Sequence, residues 1–105
     1  MGALIELSGA ELEELVASGE RVFADFYSNT CGPCKMLSFV LEDVAKTVDD
    51  VKIVKVNFDK NKEFLEKFAV SMYPTMILFE NGKEVKRLKG LQQKPLILKA
   101  LEKAE

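Results

Sequence analysis

The only two cysteines of the chain stand three residues apart, in Cys31-Gly32-Pro33-Cys34. Two such residues on the first turn of a helix bring their sulfurs within disulfide reach with a short loop to close. The free N–H groups and dipole at a helix N-terminus favour an anion. Cys31, the outer cysteine, is therefore expected to carry a thiolate with its pKa lowered below the free value of about 8.5. Cys34, one turn in, is expected on the buried face as a thiol. Pro33 fixes its own φ and stiffens the loop, and Gly32 leaves the approach to Cys31 open. The chemistry that follows is thiol–disulfide exchange: Cys31 captures a disulfide sulfur, and Cys34 then displaces it. Inert cysteines, or half of a metal site, are the alternative readings; a CxxC in a short βαβ context is biased toward redox work.

Three further residues stand out against their neighbours. Asp25 lies in Val22-Phe23-Ala24-Asp25-Phe26-Tyr27, where almost everything else is apolar. A carboxylate buried there is costly, so its pKa is expected to rise, which would suit it to accept the Cys34 proton. An acid facing solvent at a strand edge is the plainer alternative. Lys55, alone among Ile53, Val54 and Val56, is either a partner for Asp25 or a lysine with its stem on the sheet and its head in water. Pro74 precedes a β-run and follows Tyr73, a place where a cis bond can occur, although only about 5–6% of X-Pro bonds are cis.

These residues need a scaffold, and hydrophobic patterning supplies one. Ala3 to Leu7 reads as a strand, followed by a helix with Ser8 as N-cap, Glu11 completing a capping box and Gly19 at its far end. Leu12, Leu15 and Val16 form its apolar stripe. Arg21 to Ser28, apolar on both faces, fits an interior strand. Apolar residues at 34, 37, 40, 41, 44, 45 and 48 give a helical period over Cys34 to Val48. Lys52 to Phe58 is a second interior strand, and Asn61 to Ala69 a short helix with Phe64, Leu65 and Phe68 inward. Met76 to Glu80 and Glu84 to Lys89 flank Asn81-Gly82, a strong hairpin signal. Gln92 to Lys103 closes as a helix with Pro95 in its first turn. The order β-α-β-α-β-α-β-β-α predicts an α/β fold: one domain over residues 1–105, with a mixed central sheet flanked by helices.

Composition removes several function classes. With 15 basic and 17 acidic residues interspersed, nothing points to nucleic acid. Apolar runs are too short to cross a bilayer, and the first residues lack a secretory signal, so a cytoplasmic location is expected. The absence of histidine excludes Ser-His-Asp and Cys-His catalysis. No metal is expected either, because a closed zinc site usually needs four ligands and one chain supplies two cysteines. A monomer is the default.

The chain resembles the thioredoxin family along nearly its whole length. The matching segments are Phe23-Ala24-Asp25-Phe26-Tyr27, Cys31-Gly32-Pro33-Cys34-Lys35-Met36, Val54-Lys55-Val56-Asn57-Phe58-Asp59, Val70-Ser71-Met72-Tyr73-Pro74-Thr75 and Phe79-Glu80-Asn81-Gly82-Lys83, in the family's order and spacing. The resemblance implies the thioredoxin fold and a protein-disulfide reductase, with Cys31 as nucleophile and Cys34 as resolving thiol. Asp25 would be the buried acid, Lys55 its partner and Pro74 a cis-proline opposite the disulfide. The Tyr73 backbone would pair with an extended substrate segment, and Gly90 would line the same groove. Gly-Pro between the cysteines is usual for reductants of this fold. No cofactor is implied. The partners would be disulfide-containing proteins and a separate reductase, since the chain has no nucleotide-binding signature. The chain departs from the pattern at Thr30, where a Trp usually flanks the substrate surface, and at Tyr27, where another is common. Phe39 replaces a frequent proline, which predicts a straighter helix. A docking module, a metal or iron–sulfur carrier, and an oxidase or isomerase are the competing functions.

Overall fold

The computed structural model describes residues 3–102, apart from the side chain of Leu65. The inward position expected for Leu65 and the helix end expected at Lys103 lie outside the described residues. Within them the predicted order of elements is observed: β1 (Ile5–Leu7), α1 (Gly9–Ala17), β2 (Val22–Tyr27), α2 (Gly32–Thr47), β3 (Lys52–Asn57), α3 (Lys62–Lys67), β4 (Thr75–Glu80), β5 (Lys83–Lys89) and α4 (Lys94–Ala100). The strands form one sheet in the order β1-β3-β2-β4-β5. β1 and β2 flank β3 in parallel, while β4 runs antiparallel to both β2 and β5. The sheet is therefore mixed, with β2 at its centre.

Alternation along the strands divides the core into two layers. Ala24 and Phe26 of β2, Val54 and Val56 of β3, and Ile77 and Phe79 of β4 pack with Leu12 and Val16 of α1 on one side. Phe23, Ile53, Met76 and Leu78 face the other way, onto Leu37, Leu41 and Val44 of α2 and Ile97 of α4. Each large side chain fully removed from water here stabilises the fold by about 1.5–3 kcal/mol. With both faces covered, β2 is buried from Val22 through Phe26 and holds Asp25 deep inside the molecule.

Local chemistry explains most of the element ends. Ser8 caps α1 through the complete capping box with Glu11. Gly19, at φ +86, follows the Ser18 cap of α1. Asn81 (φ +54) and Gly82 (φ +80) supply the two left-handed positions of a tight hairpin. One boundary differs from expectation in a way that matters. α2 begins at Gly32, two residues before the first apolar position of its period, so Cys31 is the N-cap and not a member of the first turn. Pro33 then falls in that turn, where its missing N–H has no helical partner to lose. The helix continues through Phe39 without a break.

Candidate active site

The site forms where the parallel part of the sheet ends. β2 delivers Tyr27 and Ser28, the chain turns through Asn29 and Thr30, and Cys31 opens α2. Cys31 has extended backbone angles (φ −98°, ψ 110°), and its Sγ accepts a hydrogen bond from the Cys34 N–H at 3.1 Å. The two cysteines are joined in a disulfide with their Cα atoms 5.2 Å apart. Cys31 is half-buried and Cys34 is 3% exposed, so an approaching group meets Cys31. Gly32 and Pro33 are both exposed between them.

Asp25 is 1% exposed, and its Oδ1 has no hydrogen-bond partner among the described residues. Burial pushes its pKa up to about 7, against a smaller downward pull from Lys55. Lys55 lies directly across from Asp25 in the parallel register of β2 and β3. It is half-buried, with Nζ 5.4 Å from the centre of the Tyr27 ring. A cavity of about 230 Å³ joins these groups, lined by Asp25, Tyr27, Cys31, Cys34, Lys35 and Lys55 among others. Residues 25, 31, 34 and 55 thus share one hollow.

The other expected residues cluster at the same end of the sheet. Pro74 is buried, and the Tyr73–Pro74 bond is cis. The β2–β4 register pairs Phe26 with Thr75, and continued by one residue it sets Pro74 level with Tyr27. Gly90, at φ +82, donates its N–H to the Pro74 carbonyl at 2.8 Å. Tyr73 packs its ring against Phe58, with centroids 4.7 Å apart. Thr30 is exposed, with its hydroxyl 3.2 Å from that of Ser28.

Sequence reading missed several groups. Tyr27 is a polar wall of the cavity; burial and the nearby Glu6 carboxylate push its pKa up to about 12. Ser28 and Asp59 share a hydrogen bond across 31 residues. Asp59 stood in a recognised segment, but nothing in that segment names Ser28 as its partner. Among the described residues, no group of three or more His, Cys, Asp or Glu side chains is arranged to hold a metal ion. No helix there is long and apolar enough to cross a membrane.

Comparisons with known proteins agree with one another. The family model described as Thioredoxin matches residues 3–103. A thioredoxin of Chlamydia trachomatis is 42% identical over 97 residues, which span 92% of this chain and 94% of that protein. The bifunctional thioredoxin reductase/thioredoxin of Mycobacterium leprae is 37% identical over 102 residues, covering 95% of this chain and 22% of the longer protein. Among solved structures, a mutant thioredoxin from Halobacterium salinarum superposes with a TM-score of 0.87 at 31% identity, covering 94% of this chain and 88% of that one.

Proposed function

The chain belongs to the thioredoxin family, and from that premise we propose that it reduces disulfide bonds in other proteins, with Cys31 attacking and Cys34 resolving. The observation that carries this reading is the asymmetry of the pair. Cys31 caps a helix and is partly exposed to solvent, while Cys34 is covered and bonded to it.

In the reduced protein the Cys31 thiolate attacks one sulfur of a substrate disulfide. A new Cys31–substrate bond forms, and the second substrate sulfur leaves as a thiolate that takes a proton from solvent. Asp25, poised near neutrality, then accepts the Cys34 proton directly or through water in the shared cavity. The Cys34 thiolate attacks Cys31 Sγ, the Cys31–substrate bond breaks, and the remaining substrate sulfur leaves as a thiolate that takes up the proton held by Asp25 or one from solvent. The substrate gains two electrons and two protons, and the protein ends in the disulfide form seen here. Lys55 holds part of the negative charge on Asp25 as the proton moves. Thr30, Tyr73, Pro74 and Gly90 form the groove that receives the substrate, with the Tyr73 backbone pairing to an extended segment.

A reductase returns the protein to its dithiol form. In the Mycobacterium leprae relative both named activities reside in one chain, which supports a reductase as the electron donor. The chain works as a single domain and a monomer in the cytoplasm. Acceleration of insulin reduction by dithiothreitol tests the activity, and a rate no faster than dithiothreitol alone would contradict it. Cys34→Ser is expected to accumulate mixed disulfides with substrate proteins, resolved on non-reducing gels, while Cys31→Ser accumulates none. Equal trapping by the two variants would overturn the assigned roles.

A further inference from the structure

The segment between β2 and Cys31 is short and polar, and such a loop needs hydrogen bonds to fix its shape. Ser28, 6% exposed, makes most of them. Its carbonyl accepts the Cys31 N–H at 3.2 Å, which closes a four-residue turn. Its Oγ accepts the Thr30 N–H at 3.4 Å, the pattern of a serine turn. The same Oγ donates to Asp59 Oδ2 at 3.0 Å, which leaves the Thr30 hydroxyl, 3.2 Å away, as donor to Ser28. The Asn29 N–H points at the same Asp59 oxygen at 3.4 Å.

Asp59 is well placed to serve as an anchor. It sits in the connection between β3 and α3, and that connection is itself tied down. Asn57 donates from Nδ2 to Asn29 Oδ1 at 3.3 Å and accepts the Lys60 N–H at its own Oδ1. Asn61 donates to the Asn57 carbonyl at 2.8 Å and accepts the Gly9 N–H, also at 2.8 Å. The turn before Cys31 is thereby fastened through β3–α3 to the first residue of α1.

We propose that Ser28 is a positioning residue: its hydroxyl, bonded to Asp59, latches the turn over residues 28–31 and so keeps Cys31 Sγ at the N-terminal N–H groups of α2. The proposal rests on the reading of Cys31 as the attacking thiolate. A helix terminus stabilises an anion only within its first turn, so a cap that wanders loses part of that stabilisation. The titratable and charged groups around Cys31 are Asp25 and Tyr27 from β2, Lys55 from β3, Cys34 and Lys35 from α2, and Asp59 through the latch. Ser28→Ala changes none of them, so its effect on Cys31 reports the turn.

The test follows the Cys31 thiolate by ultraviolet absorbance against pH in the reduced protein, alongside thermal unfolding. Ser28→Ala is expected to raise the Cys31 midpoint by about half a pH unit and slow its attack at neutral pH about threefold. Ser28→Thr, which keeps the hydroxyl, is expected to restore both. Asp59→Ala and Asp59→Asn both remove a charge, and only Asn retains an acceptor. The Ala variant is therefore expected to titrate about half a pH unit above the Asn variant, with no further rise when Ser28→Ala is added to it. A lowered Tm with an unmoved Cys31 midpoint in Ser28→Ala would overturn the latch. Failure of the unaltered protein to reduce insulin would count against the reductase reading alone, since the latch is judged on the titration.

Discussion

Asp25 carries a cost that the fold bears beside the cysteine pair, buried and with one carboxylate oxygen unpaired among the described residues. The unfolded chain releases this proton near pH 3.8, whereas the folded protein holds it to about pH 7. Between those values the folded state binds more protons, so stability falls as pH rises through the window. Above it the full penalty is present, about 4 kcal/mol at most. Asp25→Asn is expected to raise the urea midpoint strongly at about pH 8 and much less at about pH 5. An equal gain at both pH values would show that Asp25 titrates normally. Asp25 was legible in the sequence because a single charge interrupts an apolar run on both strand faces. Cys31 and Cys34 were legible from their spacing together with the strand before them and the helical period after them, which weighed against inert cysteines or half of a metal site. The Ser28–Asp59 bond was not: both residues are ordinary in a polar loop, and only the fold brings them to 3.0 Å. For Lys55, spacing left two readings open; the register sets it across from Asp25, while its Nζ lies over the Tyr27 ring.

At the scale of elements, the contact between α1 and α3 leaves no room for a side chain at Gly9. Gly9 opens α1 directly against Phe64, and a Cβ placed on Gly9 would run into the Phe64 Cβ and Cγ atoms. Alanine has the higher helix propensity, yet overpacking of this kind typically costs about 1–3 kcal/mol. Gly9→Ala is therefore expected to lower stability in chemical denaturation, and a gain would contradict the close packing. Element order and type followed from periodicity, because the stripes of α1 and α2 and the two-faced strands are strongly patterned. Boundaries followed less well. α2 starts two residues before its apolar period because Gly32 and Pro33 are exposed and carry no pattern, and because cysteine is not among the usual cap residues. β1 is shorter than expected, beginning at Ile5 rather than Ala3, where pairing with Val54 of β3 starts.

At the scale of the whole molecule, the parallel pairing of β2 with β3 and the antiparallel return of β4 do the positioning. They set Asp25 against Lys55, end β2 at the start of α2, and bring the Pro74 segment level with Tyr27. The mixed character of the sheet was readable from one βαβ half followed by a hairpin. Its strand order needed the three-dimensional structure, because hydropathy does not say which strand lies beside which. The consequence of this architecture is two cysteines in unlike surroundings, one at a helix terminus and one inside. The rate of alkylation of the reduced protein by iodoacetamide, followed against pH with the modified residue identified by mass spectrometry, tests that consequence most directly. Modification is expected at Cys31 alone, with a midpoint clearly below the free-thiol value of about 8.5. Alkylation of Cys31 and Cys34 together, at the pH of an ordinary cysteine, would contradict the division of labour on which the mechanism depends.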